Sequence, residues 1–191
     1  MGKRGYMIVA VAAIVVGASL SGVVAQASHP WDANPFFGSS EGNSQVTGVA
    51  ALISTTSAGD FQATHIGNGT YTATLTQNYP RHIESGMENA AGQCAFVDGQ
   101  IVLTAADGSQ INVDVDADRS VSCAPQGQPP TGASVGDVYT STIFGEITGG
   151  TGRFVDVTGY IFSEGTSEIT GPGTTVDQAD VYGDIQISES E

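Results

Sequence analysis

Residues Ile143–Ile161 read IFGEITGGTGRFVDVTGYI. Two runs with strand chemistry flank a turn in which Gly149, Gly150 and Gly152 fill three of four positions. A tight connection between neighbouring strands needs φ > 0, which glycine supplies without steric cost. The stretch therefore predicts two adjacent antiparallel strands. By alternation Phe154, Asp156, Thr158 and Tyr160 share one face of the second strand, and Val155, Val157 and Ile161 share the other. If the valine face meets an outer layer or another subunit, Asp156, Thr158 and Tyr160 face inward as ligand contacts. If it fills the interior, Asp156 is a solvated charge.

Outward from this stretch the chain continues as short β-like runs. Val46–Thr56 is the first, and Thr70–Thr76 alternates Tyr71, Ala73 and Leu75 against threonines. Gln77–Gln93 reads as a long polar loop and Ala124–Gly136 as a Pro/Gly-rich one, while Val138–Ile147, Phe154–Ser163 and Val176–Ile187 complete the strands. No run holds a helical period. Seven or eight strands punctuated by turn residues predict an all-β domain, an antiparallel β-barrel of about eight strands.

Phe96–Ala105 and Ser109–Asp116 form a hairpin about Asp107-Gly108, a dipeptide suited to a type I′ turn. In that register Cys94 and Cys123, the two cysteines of the chain, fall two residues out of step. A structural disulfide tying the hairpin's base is expected, worth about 3–4 kcal/mol through loop closure. Neither thiol has the spacing of a metal or redox motif, so no metal site is expected.

The N-terminus sets the compartment. Lys3 and Arg4, the apolar run Met7–Leu20 and Ala25-Gln26-Ala27 have the order of a cleavable signal peptide over residues 1–27. Residues 28–44, with Trp31, Phe36 and Phe37 but no periodicity, read as an N-terminal arm, leaving 45–191 as the barrel domain. The expected location is secreted, extracellular or periplasmic. Loss of Lys3 and Arg4 takes the formal charge from −15 to −17 and leaves Arg81, Arg119 and Arg153 as the strong cations. Such a surface repels phosphate backbones and excludes nucleic acid as a partner. No later segment is apolar enough to span a membrane as a helix.

With these strands in place, Gly-Gly-Thr-Gly-x-Phe at 149–154 followed by Gly159-Tyr160 resembles the signature region of allene oxide cyclase-like and dirigent-like barrels. Asp107-Gly108-Ser109-Gln110-Ile111 is similar to their Gly-Ser-x-Ile hairpin strand, and Gly67–Tyr71 to an earlier Gly-rich strand entry. The resemblance implies a barrel whose lumen binds a small, largely apolar molecule, with no cofactor. Dirigent-type proteins carry pocket arginines after the motif, where this chain has Val155 and Thr158.

The chemical candidates are few. Asp156 comes first, with His65, His82 and Glu84 as acid/base groups because histidine titrates near neutrality. Gly132-Ala133-Ser134-Val135-Gly136 matches a nucleophile elbow in letters, yet lacks the strand before and helix after that strain the serine. Asp114, Asp116 and Asp118 share the wet face of a strand, and Arg119 and Pro125 stand where a calcium loop needs glycine and an acid. Two functions follow: a ligand-binding barrel that steers cyclisation or coupling, or a non-catalytic surface protein with a packed core. An exposed valine face would favour a homo-oligomer.

Overall fold

The computed structural model describes residues 34–49, 52–79, 94–125 and 134–187. The expected signal peptide at 1–27, Trp31, His82 and Glu84 lie outside the described residues. Nine strands follow in order: β1 Asn34–Val49, β2 Leu52–Ala63, β3 Gly67–Asn78, β4 Cys94–Ala105, β5 Gln110–Val115, β6 Val121–Cys123, β7 Val138–Gly150, β8 Thr158–Gly171 and β9 Thr174–Gln186. Every pairing is antiparallel, and β9 returns to pair with β1, so the sheet closes. The strands β5 and β6 share one place between β4 and β7. The result is the all-β, eight-stranded antiparallel barrel that the strand count predicts.

Closure has a simple consequence for side chains. Odd residues of β2, β3, β4 and β5 face even residues of β1 around the wall, and all of these point inward. The outer face carries Thr70, Thr72 and Thr74 on β3, Glu164 and Glu168 on β8, and Asp180 on β9, all exposed. A lipid-facing barrel needs the reverse arrangement, an apolar outer band. Among the described residues no helix is long and apolar enough to cross a membrane.

One end of the lumen is filled. Phe36, Phe61, Ile111, Phe154, Val157 and Ile185 are each at most 6% exposed and pack as one cluster, which we call the floor. Burial of side chains this size contributes roughly 1.5–3 kcal/mol each. Three loops knit over this end. The Arg153 guanidinium donates to the Ile66 carbonyl at 2.6 Å, pairs with Asp107 at 3.2 Å and lies 4.6 Å from the Phe154 ring centre. The Ser109 backbone N–H donates to Asp107, and this bond first, then the Ser109 hydroxyl and then Arg153, hold the Asp107 carboxyl below its usual range. Gly152 has φ +61, and a Cβ there would run into Ser109, so the floor loop requires glycine at this position.

Four expectations need correction. Strand β1 already runs from Asn34, so residues 34–44 of the expected arm are most of its 16 residues, and Phe36 is core. The expected strand Val46–Thr56 straddles the β1–β2 connection. The β4–β5 turn spans Ala106–Gly108, with Ala105 N donating to Ser109 O and Thr104 opposite Gln110. Finally, the expected strand Phe154–Ser163 starts only at Thr158, because Phe154 ends a 3-10 turn over 152–154, with Phe154 N bonded to Thr151 O and Val157 N to Phe154 O. Alternation fails there: Val155 is 61% exposed and Val157 is 1% exposed, so no continuous valine face exists.

The disulfide is present, and the fold brings it into register. Between Phe96 and Gly99, β4 advances three residues while the facing chain runs six, from Val121 back to Val115. The surplus forms a turn at 116–120, where Arg119 N and Ser120 N both donate to Asp116 O. Ser120 Oγ accepts from Phe144 N at 2.9 Å and donates to Phe144 O at 3.1 Å, filling the gap in the ladder. The shift sets Cys94 directly opposite Cys123, with Cα atoms 4.0 Å apart.

Candidate functional site

Above the floor the lumen is hollow. A cavity of about 600 Å³ runs from Phe36 and Phe61 to the β8–β9 turn at Gly171–Thr174. We call this end the mouth. The space exists because inward positions are small: Gly38, Ser40, Gly42 and Ser44 on β1, Ser57 on β2, Ala73 on β3 and Ala179 on β9.

The walls differ in chemistry. On the side of β3, β4 and β7 stand Leu75, Val97, Ile101 and Ile143. On the side of β9, β1 and β2 stand Asp177, Thr175, Ser44, Ser57 and Thr55. Among the described residues that line the cavity, Asp177 is the one that is charged. Its Oδ2 accepts from Ser44 Oγ, its Oδ1 accepts from Thr175 Oγ1 at 2.8 Å, and Ser44 Oγ shares a 2.6 Å contact with Ser57 Oγ. Thr55 is 7% exposed, and its hydroxyl has no hydrogen-bond partner among the described residues. A buried hydroxyl left unpaired costs about 1–3 kcal/mol.

Tyrosines complete the site. Burial first, and Asp177 second, push the Tyr71 phenol up to about 12. Gly42 makes its room, because a Cβ at that position would collide with the Tyr71 hydroxyl. Tyr79 is likewise pushed up to about 12, by burial and then by Tyr139. Burial, then the Asp137 charge, raises Tyr139 as well. These phenols stay protonated at neutral pH and can donate to a ligand.

The residues expected from sequence lie elsewhere. Asp156, Thr158 and Tyr160 stand on the outside, exposed, and Tyr160 Oη donates to Asp184 at 2.6 Å. They do not reach the lumen: Val157 and Ile161 point inward, so Asp156 is the solvated charge of the second alternative the sequence left open. His65 occupies the β2–β3 turn at φ +65, exposed, with Nε2 3.2 Å from Pro35 O, and does not line the cavity. Ser134 lies in a turn that enters β7 directly, so no elbow forms. Asp114 is exposed beside Gln100, and Asp116 Oδ1 accepts from Asp118 N at 3.0 Å. The cavity wall itself was partly legible, since Tyr71, Ala73 and Leu75 form the inward face of β3 as alternation implied. Asp177 also carried a signal: it is in phase with Ala179, Val181 and Ile185, an acid where apolar residues are expected.

The chain matches no family model, and comparison with curated proteins and with solved structures likewise finds no match.

Proposed function

We propose that this protein is an exported barrel that holds one small, largely apolar molecule in its lumen. The observation that carries this reading is the hollow half of the barrel, about 600 Å³ and walled by apolar side chains opposite hydroxyls and one carboxylate. That combination of an apolar pocket with a few convergent polar groups is what ligand sites share. Eight-stranded barrels are wide enough for one small ligand. The disulfide and the signal-like N-terminus support export. Kinship with allene oxide cyclase-like and dirigent-like barrels belongs to the same proposal and rests on the Gly149–Phe154 turn. Steering of cyclisation or coupling is its catalytic form, by positioning the ligand against Tyr71 and Asp177. The packed floor favours a second reading, a non-catalytic surface protein whose barrel is a scaffold.

The test is to extract the purified, oxidised protein with organic solvent and identify bound molecules by mass spectrometry. Fluorescent apolar probes are titrated alongside, with Ala73→Trp, which fills the lumen, as the blocked control. A stoichiometric ligand, or saturable binding lost in a cooperatively folded Ala73→Trp variant, is expected. An empty extract with no saturable binding overturns the reading and leaves the scaffold.

A further inference from the structure

The polar wall restricts which molecules the lumen accepts. Asp177 has hydroxyls for neighbours, Ser44 and Thr175, and among the described residues that line the cavity there is no Lys, Arg or His. Among the described residues the carboxylate is thus hydrogen-bonded but has no opposite charge beside it. A second, independent feature lies on the same wall. Thr55, two positions along β2 from Ser57 on the same inward face, has a buried hydroxyl with no hydrogen-bond partner among the described residues. The lumen presents a negative charge and an unused hydrogen-bonding group on one wall, and Leu75, Val97 and Ile143 across from them.

Building on the lumen reading, we propose that the ligand is an apolar molecule ending in a protonated amine, with Asp177 as the residue that selects it. An ammonium has three donors and no acceptor. One satisfies the carboxylate by a charge-assisted bond, while the apolar body lies on the opposite wall. A fatty carboxylate entering the same space would set two like charges together where screening by salt is weak. The chain's formal charge of −15 acts in the same direction at longer range, drawing cations and repelling anions.

The experiment uses the oxidised full chain and three probes of matched length: dodecylamine, dodecanol and dodecanoate. Each competes against a bound fluorescent apolar dye, for wild type, Asp177→Asn and Thr55→Val. The expected result is that wild type prefers the amine over the carboxylate by at least about tenfold, a difference of 1.4 kcal/mol. Asp177→Asn should abolish that preference while dodecanol binding stays within about twofold, and Thr55→Val, further along the wall, should not remove it. Equal binding of all three probes, or a preference that survives Asp177→Asn, overturns the selection and leaves the lumen reading standing. Failure of every probe to displace the dye, or of the dye to bind, overturns both. Thermal unfolding of each variant shows that a lost preference is not lost folding.

Discussion

The two ends of this barrel are made from the same eight strands and have opposite interiors. At the floor, inward positions carry Phe36, Phe61, Ile111 and Ile185, and Phe154 and Val157 fold in from the last loop to seal the space. At the mouth, the same strands place Ser44, Ser57, Ala73 and Ala179 inward, and about 600 Å³ stays open. What differs is side-chain volume, not backbone. The floor is held by packing and by the Arg153 contacts to Asp107 and Ile66. The mouth, with little packing of its own, has the Cys94–Cys123 cross-link between β4 and β6. Stability and vacancy are thereby separated along one axis, which lets a small domain keep a hollow site without losing its core.

The largest effect should come from opening the floor. Phe154→Ala removes a ring that is 1% exposed and should cost about 3–5 kcal/mol, read from urea unfolding. Leu75→Ala, on the cavity wall, should cost only about 1–2 kcal/mol, because Leu75 is half-buried and already borders a void. Equal costs would mean that the mouth is packed like the floor, and the comparison would collapse.

Next comes the cross-link. A double Cys94→Ser, Cys123→Ser variant should lose about 3–4 kcal/mol by the loop-closure argument, for a sequence separation of 29. Hydrogen exchange should locate the loss. The β4–β6 amides near Val121–Cys123 should exchange faster, and those of Ile111 and Val113 should be slowed as before. Uniform acceleration would show that the two ends are one cooperative unit.

Alkaline titration probes the mouth from another side, with a smaller effect because its phenols are partly open to solvent. Tyr71 and Tyr79 keep their protons up to about 12 in the folded chain, while an unfolded tyrosine loses its proton near 10. The folded state binds more protons in that window. The stability they confer is complete below pH 10 and is lost as pH rises through 12. Tyrosinate absorbance and unfolding midpoints should show this together, and Tyr71→Phe should remove part of the alkaline loss. A midpoint unchanged by Tyr71→Phe would mean that Tyr71 is solvated, and the wall there open.

The contrast between the ends also explains what could be read from sequence. Barrel class and strand number were legible because short β-like runs recur along the chain, Thr70–Thr76 alternates, and Asp107-Gly108 marks a turn. The first strand was not, since Gly38, Ser40, Gly42 and Ser44 give its inner face no apolar signal. The same smallness that makes the cavity hides the strand that walls it. For Asp156 the sequence left two alternatives, and the structure takes the solvated one; parity fails only at Phe154 and Val155, in and just after the 3-10 turn, where the chain leaves the ladder. The disulfide was anticipated, yet its register depended on the 116–120 turn that Ser120 stabilises, and nothing in the spacing encodes that offset.

The smallest expected change has the opposite sign. Thr55 is buried on the polar wall with its hydroxyl unpaired, so the folded chain carries a desolvation cost that valine, of similar shape, would not. Thr55→Val should therefore raise stability by about 1 kcal/mol in urea unfolding while weakening the binding of a probe that hydrogen-bonds the polar wall. Gain on one measurement and loss on the other is what a group kept for a ligand should show, since selection tolerates a small stability cost where function needs the atom. If Thr55→Val destabilises the barrel instead, the hydroxyl is part of a satisfied network. The mouth would then be a continuation of the core in polar form, and the distinction between the two ends would be one of composition alone.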